Sequence, residues 1–310
     1  MRVRLFNMAQ QEIFEKDQDK AIEIESLKDL LDKNYDKIEN LSLGNITPGI
    51  PISFYDFDAM TQGLRRGDLI AFAGRPMMGK TSLALQIAKN IGSQNLPVCF
   101  FGFDMSKEEY VYRILGMNLG IEINRLRSGR LQQDEWALLG EEIYSLGQLP
   151  IFIEDKRRIT IKEIKAKCEN IVSKSDQKNL GLIAIDSYHM IEYPNLNDYQ
   201  AQLERNTRDL KDLAKELNVP VLITAPISKS LEFRENRRPM LSDIRDCGDA
   251  LEYYGDIIVM LYRDEYYDPE TEDRGIADLI VTKHRNGPVG TVKMLFEPQY
   301  GRYRNLVHEL

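Results

Sequence analysis

Short apolar runs with almost no polar interruption recur at residues 69–73, 97–101, 182–185, 221–224 and 257–261. Such runs fit strands buried on both faces, because a half-exposed strand would alternate apolar and polar positions. Helical stretches lie between them: residues 82–91 follow the first run, and Leu203, Leu210, Leu213 and Leu217 mark a helix before the fourth. The alternation predicts an α/β fold with a mostly parallel central sheet covered by helices on both faces. Near the end of the chain, residues 276–282 and 291–296 around Asn286-Gly287-Pro288 predict an added hairpin. No fixed-period repeat interrupts this scheme.

The N-terminal part has a different pattern. Residues 11 to about 40 are highly charged, with Ile24, Leu27, Leu31, Ile38 and Leu41 at roughly helical spacing. This predicts one or two amphipathic helices whose apolar stripe is too narrow for a core of its own. They are expected to pack on the main domain or on a neighbouring subunit. Gly44, Pro48, Gly49 and Pro51 mark a linker. The expected division is a helical segment over 1–44 and a globular domain over 45–310.

Composition narrows the function classes. A 43% hydrophobic and 29% charged share in 310 residues is ordinary for a globular protein. No apolar run is long enough for a membrane span, and the N-terminus lacks the apolar stretch of a secretory signal. Cys99, Cys168 and Cys247 lack metal-ligand spacing, and His189, His284 and His308 are scattered, which argues against zinc or a histidine cluster and for a reducing compartment. A net charge of −8 argues against non-specific coating of nucleic acid, so any such contact must rest on one local segment.

That chemistry is carried first by Gly74-Arg75-Pro76-Met77-Met78-Gly79-Lys80-Thr81, a complete P-loop pattern between a predicted strand and a predicted helix that continues with Ser82. Glycines let backbone N–H groups close around phosphate oxygens, and the helix N-terminus adds partial positive charge. Lys80 is placed to reach the β- and γ-phosphates of ATP and the Thr81 hydroxyl to ligate Mg2+. A chance glycine turn is the bland alternative, and the strand and helix on either side disfavour it. The run ending at Asp186 supplies a carboxylate able to hold the metal through its water shell; otherwise Asp186 simply starts a turn.

Further stretches occur in one particular order: Gly49-Ile50-Pro51, Phe54-Tyr55-Asp56-Phe57-Asp58-Ala59-Met60-Thr61-Gln62-Gly63-Leu64, Gly74-Arg75-Pro76, Asn124-Arg125-Leu126-Arg127-Ser128-Gly129, Arg238-Pro239-Met240-Leu241-Ser242-Asp243, Tyr262-Arg263-Asp264-Glu265 and Lys283-His284-Arg285-Asn286-Gly287-Pro288. Together they resemble the C-terminal motor domain of DnaB-type replicative helicases, the cyanobacterial or plastid branch in particular. The resemblance runs from about residue 45 to the C-terminus, and residues 5–41 are similar to the helical linker that precedes this motor. The family's N-terminal domain, which meets primase, has no counterpart in the sequence, so the chain is read as shortened or as a naturally short relative.

The resemblance implies a RecA-like P-loop fold and a homohexameric ring with ATP between subunits. It makes Lys80 and Asp104 catalytic and assigns Lys283 and Arg285 to the γ-phosphate of a neighbouring subunit. By their spacing alone those two would be solvated charges. It also implies that Arg245 and Gly248 grip single-stranded DNA, beside a basic cluster of Lys229, Arg234, Arg237 and Arg238 that as bare charge would be a solvated face. A helicase loader or primase is the implied further partner, acting through the missing domain. Bacterial cytoplasm with the nucleoid, or plastid stroma, is the implied location, with no membrane contact.

Two departures fall on catalytic positions. Where the family has a Ser-Leu-Glu-Met-Ser stretch, this chain has Gly102-Phe103-Asp104-Met105-Ser106, and Asp is shorter than Glu by about 1.5 Å of reach. Pro226 stands where the family places a Gln that senses both γ-phosphate and DNA, and proline donates no hydrogen bond. Asp186-Ser187-Tyr188-His189-Met190 also differs from the family's Tyr-Leu-Gln after the Asp. The leading reading is an ATP-driven helicase translocating on single-stranded DNA at the replication fork. Its competitors are a weakened, nucleotide-dependent DNA-binding ring without processive unwinding, and a strand-exchange or circadian-type ATPase, against which the stretches at 238–243 and 283–288 argue.

Overall fold

Leu69, Ala71 and Ala73 point to one side of strand β1 (Leu69–Gly74), Ile70 and Phe72 point to the other, and all five are fully buried. The computed structural model describes residues 24–175, 179–194, 198–247 and 249–306, with backbone alone at 245–247. The remaining strands are β2 (Val98–Gly102), β3 (Ile151–Glu154), β4 (Leu182–Asp186), β5 (Val221–Pro226), β6 (Ile257–Tyr262), β7 (Ile276–His284), β8 (Gly290–Glu297) and β9 (Arg302–Asn305). They form one sheet in the order β3-β2-β4-β5-β1-β6-β7-β8-β9. The first six are parallel to one another and the last three add on antiparallel.

The chain divides between Thr47 and Pro48, against the expected boundary at 44/45. The first unit holds α1 (Leu27–Ser42), capped by Ser26 Oγ, which accepts from Asp29 N at 3.2 Å. None of its residues is buried, and Leu27, Leu31 and Ile38 of the expected stripe are exposed. In the second unit α2 (Tyr55–Thr61), α3 (Lys80–Gly92) and α4 (Lys107–Leu119) pack on one face of the sheet through Phe57, Leu83, Ile87, Tyr110 and Met117. The short α5 (Ile123–Ser128) and the α6 helix (Gln133–Gly147) flank a satellite cluster around Leu115, Ile121 and Leu126. On the opposite face α7 (Ile161–Lys174), α8 (Tyr199–Glu216) and α9 (Asp249–Tyr254) bury Ile164, Leu203, Leu210, Leu213 and Leu251. The predicted five core strands and the hairpin are present, and β3 and β9 join them as strands that the apolar pattern did not announce.

A buried charge centre sits where β1 and β6 begin. Lys211 Nζ lies 2.5 Å from Asp256 Oδ2, 2.7 Å from Gly67 O and 3.8 Å from Asp68 Oδ1. Asp256 Oδ2 also accepts from Leu69 N at 2.8 Å, and Asp256 Oδ1 pairs with Arg285 Nε at 3.3 Å. One lysine thus serves two carboxylates. Burial, and then repulsion from Asp256, pushes the Asp68 carboxyl up to about 6 against the attraction of Lys211.

The pKa of Asp68 in the unfolded chain is about 3.9. Between the two values the folded state keeps a proton that the unfolded chain releases, so this group's contribution to stability falls as pH rises from about 4 to about 6. Asp68→Asn, which resembles the protonated form, should therefore raise the thermal midpoint by on the order of 2 °C at pH 7.5 and not at pH 4. Equal or larger gains at pH 4 would show that the Asp68 charge is not strained.

Candidate nucleotide site

Strand β1 delivers its last residue, Gly74, to a loop that turns into α3 at Gly79, whose φ of +96° lies in the left-handed region. A Cβ at Gly79 would stand 2.3 Å from Tyr303 Oη and 3.1 Å from Phe296 Cζ, so only glycine fits. The Phe296 and Tyr303 rings lie 4.4 Å apart between centroids, and Tyr303 Oη donates to Met78 O at 3.1 Å. The loop is therefore propped from below by β8 and β9. Its open side faces a cleft of about 860 Å³ lined by Met77, Gly79, Lys80, Thr81, Ser82 and Asp104. Arg113, Arg263, Tyr266 and Arg274 complete the wall.

Within the loop, Lys80 Nζ donates to Gly74 O at 2.9 Å and to Arg75 O at 3.0 Å. The Arg75 side chain turns away from the cleft to Glu232 and Ile227 O, while Pro76 and Met77 are exposed and Met78 is buried. Ser82 is buried near Gly301. Of the expected loop residues, Gly79 to Ser82 and Met77 face the cleft, and Arg75 does not.

Asp186 ends β4 almost completely buried, and Thr224 Oγ1 donates to its Oδ1 at 2.5 Å. Its Oδ2 has no hydrogen-bond partner among the described residues. Burial raises the pKa of this carboxyl, whereas Thr224, the Thr81 hydroxyl and Lys80 favour the charged form and the Asp104 carboxylate opposes it. A buried carboxylate oxygen without a donor is unfavourable unless a cation or ordered water satisfies it. Asp186 Oδ2 and the Thr81 hydroxyl thus fit a hydrated divalent cation.

His189 lies within electrostatic reach of Asp104, Lys80 and Asp186 without lining the cleft. Ser187 Oγ donates to Thr224 O at 3.0 Å and lies 2.7 Å from His189 Nδ1. With its hydroxyl proton donated to Thr224 O, Ser187 Oγ has acceptor capacity left for His189 Nδ1. Burial lowers the pKa of the ring, Asp104 and Asp186 raise it, and Lys80 lowers it.

Lys283 and Arg285 lie elsewhere. Strand β7 runs antiparallel to β6 and pairs Lys283 with Ile258, level with Ala71 near the start of β1. Some 10 Å of strand, at about 3.3 Å per residue, separates that level from Gly74. Lys283 Nζ caps the end of α9, donating to Glu252 O at 2.6 Å and Gly255 O at 2.7 Å; Arg285 Nη2 donates to Tyr253 O at 3.1 Å. These two cations and the cleft occupy opposite ends of the sheet.

The basic segment is partly neutralised. Arg234 pairs with Asp243 at 2.7 Å, and Arg238 pairs with the buried Asp278 at 2.6 Å while lying 5.1 Å over the Tyr262 ring. Arg237 lies 5.4 Å over Tyr267, and Lys229 is exposed. Gly248 and the Arg245 side chain fall outside the described residues.

Several cleft residues escaped the sequence reading. Arg263 was part of a noted stretch without an assigned role; its guanidinium reaches Met77 O at 3.2 Å, pairs with Glu265 and lies 4.8 Å over Phe296. Arg274 stands in an acidic stretch with no motif. Tyr303, beneath the loop rather than in the cleft, belongs to no motif either.

Because the left-handed φ and the Tyr303 contact act separately, Gly79→Ala should weaken binding of a fluorescent nucleotide at least about tenfold, and adding Tyr303→Phe should recover only part of that loss. Full recovery would mean the backbone is unstrained; none would mean Tyr303 does not set the loop.

A family model described as the DnaB-like helicase C terminal domain matches residues 49–305. The replicative DNA helicase DnaC of Bacillus subtilis is 40% identical over 287 residues, which cover 91% of this chain and 62% of that protein. The chain therefore spans about three fifths of the length of that relative. Among solved structures, an isolated ATPase domain superposes with a TM-score of 0.87 at 34% identity, covering 92% of this chain and all of that one. A DnaB-like replicative helicase, solved for its interactions with primase, gives a TM-score of 0.87 at 33% identity, covering 99% of this chain and 76% of that one. The parallel sheet, the P-loop leading into α3 and the antiparallel extension are thus a RecA-like arrangement, and the chain belongs to the DnaB-like helicase C-terminal domain family.

Proposed function

We propose that the chain is the ATPase motor of a hexameric helicase that moves along single-stranded DNA and unwinds duplex at the replication fork. The observation that carries this reading is the placement of Arg285 and the phosphate loop at opposite ends of one sheet. Neither end can complete the other within one chain. In a head-to-tail ring each subunit presents its Lys283 and Arg285 end to the cleft of the next, an arrangement that heterologous packing gives where the rotation between neighbours closes.

In this reading ATP lies in the cleft with its phosphates over the N-terminus of α3, where Lys80 turns from Gly74 O and Arg75 O toward the phosphates. Thr81 and Asp186 hold Mg2+, which supplies charge neutralisation during phosphoryl transfer. Asp104 acts as the base that orients the attacking water, and the partner subunit's arginine stabilises developing charge. Lys229, Arg237, Arg238, Arg245 and Gly248 meet the DNA backbone, with Arg238 giving up part of its hold on Asp278. A primase, the partner named for the solved relative, and a loader are further proposed partners, in bacterial cytoplasm or plastid stroma.

Hydrolysis of ATP should rise on adding single-stranded DNA, and Lys80→Ala should show no turnover in either condition. DNA-insensitive turnover in the unmodified chain would favour the alternative of an uncoupled nucleotide-dependent DNA-binding ring. Arg285→Ala should lower turnover by as much as about 10³-fold. Doped into unmodified protein, it should lower activity more than its share of subunits; a strictly proportional decline would argue against a shared site.

A further inference from the structure

The P-loop residue that does not face the cleft has a partner set of its own. Arg75 Nε and Nη2 both reach Glu232 Oε1, at 3.0 and 2.8 Å, and Nη1 donates to Ile227 O at 3.2 Å. Both side chains are largely shielded, at 15% and 29% exposure, so this pair is less screened than a surface ion pair. Ile227 follows Pro226, which pairs in register with Gly74 across β5 and β1. Glu232 lies in the short 3-10 turn Lys229–Phe233.

Beyond that turn the segment is closed on itself. Ser228 N donates to Asp243 O at 3.1 Å, and Asp243 Oδ2 accepts from Arg234 Nη2 and from Met240 N, both at 2.7 Å. The 229–233 turn is thus hydrogen-bonded on both flanks, through Ser228 and Arg234, to Asp243, two residues before Arg245. At the other end of the link, the Arg75 carbonyl holds Lys80 Nζ at 3.0 Å. A phosphate that draws Nζ away takes a donor from the same residue whose guanidinium grips Glu232 and Ile227 O.

We propose that Arg75 and Glu232 are positioning residues that tie the occupancy of the phosphate loop to the DNA-contacting segment after β5, in place of the side-chain link that Pro226 cannot make. The inference rests on the motor reading above. Glu232 does not line the cleft, so its charge can be removed while every cleft residue is kept.

The test compares unmodified protein, Glu232→Gln and Glu232→Asp by anisotropy of a labelled oligothymidylate, with and without a non-hydrolysable ATP analogue. Basal ATP turnover and the thermal midpoint are measured alongside. In unmodified protein the analogue should change oligonucleotide affinity; Glu232→Gln should reduce that change by about fivefold or more, with basal turnover and midpoint kept. Glu232→Asp, which keeps the charge, should restore part of it. An unchanged analogue effect in Glu232→Gln would overturn the link. So would loss of basal turnover or a lowered midpoint, which would mark Glu232 as merely structural. Absence of any oligonucleotide binding by unmodified protein would instead sink the motor reading on which the link depends.

Discussion

The site depends on one packing constraint: Tyr303 and Phe296 fill the space beneath Gly79, where any Cβ would collide. The phosphate loop rests directly on these two rings, which leave no space for a side chain at position 79. Tyr303 is fully buried and its hydroxyl is committed to Met78 O, while Arg263 clamps Met77 O from the cleft side. The antiparallel strands β7–β9 are thus more than an extension of the sheet. They carry the aromatic pair packed beneath Gly79, at the N-terminus of α3, and a helix N-terminus offers N–H donors to an anion. Pre-organised donors of this kind bind anions without first losing conformational freedom.

The opposite end of β1 and β6 obeys a different rule. Asp256 is buried, and its two oxygens are shared among Leu69 N, Lys211 and Arg285. Removing one partner of a buried ion pair leaves an uncompensated charge and is strongly destabilising. Arg285 is therefore fixed in orientation by a group that cannot leave, yet about half of its side chain stays exposed. An arginine held from behind and open in front is suited to meet an anion on another molecule. The two ends of one strand pair accordingly both suit an anion, with a helix N-terminus at one and a buttressed cation at the other.

Much of this was legible in the residues, for physical reasons that also explain what was not. Strands buried on both faces must be apolar throughout, so β1, β2, β4, β5 and β6 announce themselves. Strand β3 is a half-buried edge of four residues, and β9 alternates charged residues with a single buried tyrosine; neither has the composition of a core strand. Helix α6 buries none of its residues fully: Leu139 and Leu146 lean on the satellite cluster, while Trp136, Ile143 and Tyr144 stay exposed. The P-loop and Asp186 were readable because their spacing is local. Arg75 with Glu232, Arg238 with Asp278 and Gly79 with Tyr303 join residues far apart in the chain, and no local pattern encodes such pairs. The basic cluster illustrates the same point: its charges are visible in sequence, but the carboxylates paired with Arg234 and Arg238 are not.

The two carboxylates of the cleft bear on the departures at Asp104 and Pro226. The Asp104 charge disfavours the charged form of Asp186, and Lys80 works against that repulsion. A longer side chain at position 104 would reach further toward the phosphates but would not change the sign of this field. Gly102, where the resembled stretch has serine, leaves room for Tyr110 Oη, which a Cβ would approach to 2.1 Å. Burial, and then the Asp186 and Asp104 charges, raise the pKa of that hydroxyl, so it stays protonated beside them. The end of β2 thus sets the shorter acid beside a glycine whose missing Cβ admits Tyr110. Pro226 fits the same logic. Its ring removes a side-chain donor at the end of β5, but the next carbonyl, Ile227 O, is already engaged by Arg75 from the phosphate loop. A physical connection between loop and segment survives the substitution because it runs through a carbonyl, which any residue at position 227 would supply.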